Sequence, residues 1–153
     1  MKRYNPKNAG NELEELFENM LISESIPYIR ESTVTAQKKR TKGSVDFKIT
    51  NPECYIECKR YTKSLALGIS DNVRGIKWDQ ISFLSKKSKD GYKSGFVIQE
   101  THDLRLVFIA VDDLMRWWSN TTIKALTLNE ALKIGNVVTD AKFILEVGNA
   151  KNN

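Results

Sequence analysis

The chain has one histidine, His102, two cysteines and three prolines among 153 residues. A single histidine in a predicted turn leaves no partner set for a Ser-His-Asp triad, a Cys-His pair or a histidine-metal finger. Cys54 and Cys58 stand four positions apart on one short predicted strand, where they cannot approach as a disulfide. With no second Cys/His pair, buried thiols of a reducing compartment are expected rather than zinc ligands. No glycine-rich phosphate loop is present, which argues against ATP-driven chemistry. No run approaches the ~18 apolar residues of a membrane span. The basic start "MKRYNPKNAG" lacks an apolar signal region, so a cytoplasmic protein without membrane contact is expected.

What the chain does have is 41% hydrophobic and 28% charged residues, enough for one compact domain over 1–153, with flexible ends at 1–9 and 148–153. Lysine and arginine number 24 against 19 acids, a net charge of +5, which suits a polyanionic partner without requiring one.

Leu13, Leu16, Phe17, Met20 and Leu21 form the stripe of a one-sided helix starting near Gly10, with Asn11 as its cap and Glu14 reaching back from the third helical position. "YIRESTVTA" suggests a strand running into the polar, basic segment "QKKRTKGS". Val45 to Ile49 and Cys54 to Tyr61 read as strands around the turn "TNPE", and "TKSLALGISDNVRG" as an irregular connection. A helix is expected over Lys77 to Lys87, stopped by Gly91. "GFVIQ" and "LRLVFIAV" suggest a hairpin, and "DDLMRWW" a helix capped by Asp112 with Trp117 and Trp118 packed. The tail suggests a helix at Asn129 to Lys133 and a strand at Phe143 to Val147. Helices and strands in this order predict an α/β (α+β mixed) fold, a central mixed sheet flanked by helices.

The stretch "VDFKITNPECYIECKRYTK" places charge where a sheet prefers neutral residues. Alternation directs Cys54, Ile56 and Cys58 to one face and Tyr55, Glu57 and Lys59 to the other. A hairpin symmetric about Asn51 and Pro52 sets Asp46 opposite Glu57. Carboxylates so opposed repel unless something positive lies between them, and magnesium suits such hard oxygen donors. A bulge or one-residue slip would break the pairing. On spacing alone, a solvated hairpin face with an ordinary Glu/Lys pair explains these residues at least as well.

Asp46 with "ECK", Glu57 to Lys59, resembles the PD-(D/E)XK nuclease motif, in that superfamily's order of glutamate-bearing helix, hairpin and helix. From "GNELEELF" through "DFKI", "YIECKRYTK", "WDQISFL" and "GFVIQ" to "IKALTLNEALKIG", the chain resembles RecU-type Holliday junction resolvases and archaeal resolvases of similar design. The resemblance implies a restriction-endonuclease-like core and a Mg2+-dependent endonuclease, with Mn2+ as substitute. It further implies resolution of branched DNA by paired nicks that leave 5′-phosphate ends, a homodimer, and recombination proteins as partners.

Carried over, the resemblance makes Asp46, Glu57 and the Cys58 backbone carbonyl metal ligands, with Lys59 orienting or deprotonating the attacking water. Glu14 matches a further carboxylate, though it would equally serve as a helix cap. Gln80 matches a glutamine that touches the site or the scissile phosphate, and is otherwise an exposed helix residue. Ser44 falls where the family has a threonine near the metal, or is a turn residue. Lys38, Lys39, Arg40, Lys42, Arg60 and Lys63 would contact phosphates, or form a solvated charged surface. "TAQKKRTKG" is much shorter than the family's junction-entering stalk, which puts junction selectivity in question. Three rivals remain at this level: a related nuclease acting on linear duplex or flaps, a non-catalytic DNA-binding recombination module, and a protein whose charges meet no nucleic acid.

Overall fold

A computed structural model describes residues 6–30, 45–69, 75–122 and 125–147. The element order is α1 (Pro6–Ser23), β1 (Tyr28–Arg30), β2 (Phe47–Thr50), β3 (Glu53–Tyr61), β4 (Ser64–Ile69), β5 (Ile76–Lys77) and α2 (Trp78–Lys89). Then follow β6 (Lys93–Glu100), β7 (Leu106–Ala110), α3 (Val111–Asn120), β8 (Ala125–Thr127), α4 (Leu128–Ile134), β9 (Asn136–Val138) and α5 (Ala141–Glu146).

A six-stranded sheet in the order β1-β2-β3-β6-β7-β9 forms the centre, antiparallel throughout except for the parallel β3–β6 pair. A smaller sheet, β5-β4-β8, lies beside it. This is the expected mixed sheet between helices. One face buries Leu13, Phe17 and Leu21 of α1 and Ala141 and Ile144 of α5 against Cys54, Ile56 and Cys58. The other buries Ile81 and Leu84 of α2 and Leu114 and Trp117 of α3 against Tyr55, Phe96 and Ile98. Gly95 allows β6 and β7 to meet closely, since a Cβ there would stand 2.3 Å from the Ile109 carbonyl oxygen.

The hairpin register is the one expected from the turn: Phe47 pairs with Ile56 and Ile49 with Cys54. The stop at Gly91 is also found, at φ +96°, where a side chain would be strained. Trp117 is buried and Trp118 packs against the same core.

Several expectations are corrected. Helix α1 starts at Pro6, a residue suited to the first helical position, so Asn11 lies inside the helix and does not cap it. "SLALGI" forms β4, paired with β5 and β8, instead of an irregular connection. Ala110, not Asp112, precedes α3 as its cap residue, and Asp112 accepts the Ser88 hydroxyl at 2.6 Å. Phe143 to Val147 is no strand: α5 occupies it, capped by Asp140, which accepts the Phe143 N–H at 2.8 Å. The strand in this region is β9.

Candidate active site

β3 outruns its neighbour. β2 pairs only as far as Phe47 and Ile56, so among the described residues the β2-side edge of Glu57 to Tyr61 carries no strand. In an antiparallel ladder the bonded residue presents its N–H and C=O to the same edge. The Cys58 N–H points to this open edge and meets Asp46 Oδ2 at 2.8 Å; its carbonyl is directed the same way.

The paired ladder ends at Phe47 and Ile56, one residue short of Asp46 and Glu57. On the α2 face, Gln80 Nε2 donates to Glu57 Oε1 at 3.3 Å. Gln80 is itself fixed, because its Oε1 accepts the Lys77 N–H at the start of α2, 3.0 Å away. That bond is the reaching-back half of a capping box, so the helix end aims the amide at the carboxylate. From the other face, Glu14 arrives within the buried stripe of α1.

Three acids are thereby taken out of water: Glu14 is 8% exposed, Asp46 4% and Glu57 1%. Residues of this kind are rarely so buried without a compensating partner. Their convergence registers on the Cys58 thiol. Burial pushes it well above the ordinary range, and the charges of Asp46, Glu14 and Glu57 push it further, while Arg30 pulls it down. Arg30 was not anticipated. It lies beside the cluster, held by Glu18 at 2.6 Å, with its guanidinium 5.6 Å from the Phe47 ring centre.

The donor chemistry fits a hard divalent cation. Among the described residues no three His, Cys, Asp or Glu side chains form a ready metal cage. Magnesium does not need one, since it binds through one or two carboxylates and keeps several waters. Asp46 and Glu57, with the edge-facing Cys58 carbonyl, have that character.

Lys59 continues the Glu57 face of β3 and is half-buried. Of the expected phosphate contacts, Arg60 is turned onto Glu12 at 2.7 Å, and Lys63 is exposed at φ +71° in the β3–β4 turn. Ser44, Lys38, Lys39, Arg40 and Lys42 lie outside the described residues. The role of Lys77 was missed, although Lys77 and Gln80 have the i, i+3 spacing of a capping box.

No family profile matches the sequence, and no curated protein matches it. In fold, the chain is similar to Hjc of Archaeoglobus fulgidus, a Holliday junction resolvase from an archaeal hyperthermophile. The TM-score is 0.56 with 17% identity, covering 88% of this chain and 99% of that one. The likeness gives both chains one architecture, a mixed sheet flanked by helices.

Proposed function

We propose that the chain is a metal-dependent endonuclease that resolves branched DNA, of the PD-(D/E)XK class and close to the RecU type. The observation that carries this reading is the burial of Asp46, which accepts the Cys58 N–H, and of Glu57, which accepts from Gln80, at adjacent residues of the open edge of β3. The shared architecture with a resolvase supports it, as does the net positive charge.

In this reading Asp46, Glu57 and the Cys58 carbonyl hold Mg2+, or Mn2+ in its place. The ion, when bound, supplies Lewis-acid stabilisation and an acidified water. Lys59 orients the attacking water, assists its loss of a proton and offsets charge on the pentacovalent phosphorus. Oxygen from water bonds to phosphorus as the bond to the 3′ oxygen breaks. That oxygen takes up a proton, leaving 3′-hydroxyl and 5′-phosphate ends. Gln80 holds Glu57 in place, and Glu14 adds charge that favours a cation. Paired nicks on opposed strands call for two such sites in a homodimer, acting in the cytoplasm beside recombination proteins.

The test compares a four-way junction with a linear duplex of the same sequence, with and without Mg2+. Nicking of the junction, dependent on Mg2+ and lost in Asp46→Asn, is the expected result. Equal cutting of both substrates would move the reading to a duplex or flap nuclease. Binding without any nicking, with or without Mg2+, would leave a non-catalytic module.

A further inference from the structure

Tyr55 stands two residues before Glu57 on the same face of β3, and two lysines meet over its ring. Lys48 is its direct partner across the β2–β3 ladder, with Nζ 5.8 Å from the ring centre. Lys87 comes from α2, its Nζ 4.8 Å from the same centre and 5.5 Å from that of Phe83. The ring is held edge-on by Phe83 and Tyr92, at 5.8 and 5.9 Å.

The position of this pair follows from the elements that carry it. Lys48 is two residues after Asp46, on the same face of its chain segment. Lys87 is seven residues after Gln80, close to two helical turns, and so on the same flank of α2. The cations therefore begin where the carboxylates end. Two strand residues span about 7 Å, close to the separation of neighbouring phosphates in one DNA strand, which is about twice the ~3.4 Å axial rise because the backbone winds around the axis. A backbone with one phosphate at Glu57 thus brings the neighbouring one over the lysines.

Both lysines are half-buried, their stems lying on apolar surface in the manner of long basic side chains with solvated heads. Among the described residues neither ammonium group forms an ion pair. The nearby acids act at the ring's far tip, where Glu53 accepts the Tyr55 hydroxyl and Asp90 adds its charge. A ring attracts each exposed cation only weakly, and two like charges gathered there repel. A phosphate between them satisfies both.

We propose that Lys48 and Lys87 form a phosphate subsite that grips the DNA backbone beside the cleavage site and sets which phosphodiester meets Glu57. The subsite rests on the nuclease reading above. It positions the strand and reads no bases.

The test is fluorescence-anisotropy binding of a four-way junction without divalent metal, between 50 and 200 mM salt, for the wild type, Lys48→Gln, Lys87→Gln and the double variant. Each single change is expected to lower the slope of log affinity against log salt by about 1, and the double by about 2. Lys48→Arg and Lys87→Arg should retain the wild-type slope. A double variant with wild-type affinity and slope overturns the subsite and leaves the nuclease reading intact. A lowered melting temperature with an unchanged slope also overturns it, reducing the lysines to cover for Tyr55. If the wild type itself neither binds nor nicks DNA, the function fails, and the subsite with it.

Discussion

The carboxylate of Asp46 reaches across the open edge of β3 and takes the backbone N–H of Cys58 at 2.8 Å. One side chain thus satisfies a buried strand group and belongs to the proposed metal set. Substitution can separate the two roles.

Asp46→Asn keeps an oxygen that can accept the Cys58 N–H but removes the charge. Its urea midpoint should stay near that of the wild type while nicking falls about 100-fold or more, the scale of losing one transition-state stabilising group. Asp46→Ala also strands the N–H, adding a loss of about 1–3 kcal/mol of stability. An active Asn variant, or an Ala variant as stable as Asn, contradicts this division.

Gln80 joins the Lys77 N–H to Glu57, so Gln80→Ala should act on both. Loss of the helix-start bond is expected to cost about 1 kcal/mol. Loss of the amide that orients Glu57 should weaken metal affinity by about 10- to 100-fold, as for other groups that orient metal ligands. Titration of Mn2+ with the folded variant measures the second effect directly. Metal affinity equal to wild type would reduce Gln80 to a helix-capping residue.

The two thiols should be inert in the folded protein. Burial raises Cys54 from 9.0 to about 12, and Cys58 is raised well above 9.0 by burial and its acidic neighbours. At pH 8 neither supplies appreciable thiolate, so alkylation should be complete only after denaturation. The same shifts bear on stability. Above pH 9 the unfolded chain loses thiol protons that the folded chain retains, so stability is full below about pH 9 and declines from there toward pH 12. Rapid labelling of native protein at pH 8 would refute the burial of this cluster.

Much of the hairpin that carries the candidate residues was legible in the sequence because short-range rules governed it. Asn51 and Pro52 fixed the turn and period-two alternation fixed the faces, which gives the pairing of Phe47 with Ile56 and Ile49 with Cys54. The helical stripe of Leu13, Phe17 and Leu21 placed α1, but its polar first turn, Pro6 to Ala9, offered no apolar signal, and Asn11 was mistaken for the start. "FILEV" is a short apolar run of a kind that suits strand or helix alike. Tertiary packing of Ile144 and capping by Asp140 decided for the helix. Lys48 and Lys87 are far apart in sequence and meet only through the packing of α2 on β3, so no local pattern joins them.

Helix α5 has six residues, far below the ~12–15 at which an isolated helix becomes even marginal in water. Other parts of the chain hold both of its ends. Glu24 accepts the Ala141 and Lys142 N–H groups at 2.7 and 2.8 Å. Lys93 donates to the carbonyls of Ile144 at 2.7 Å and Leu145 at 3.1 Å, and also to Val147; burial lowers its pKa. Glu24→Ala should lose about 1–2 kcal/mol and speed amide exchange over 141–147. Lys93→Met keeps the apolar stem and removes the donors, so it should loosen the same segment from its other end. Both substitutions lie away from Asp46 and Glu57, and junction nicking at moderate temperature should persist. Exchange unchanged in both variants would mean that the buried contacts of Ala141 and Ile144 alone hold the helix.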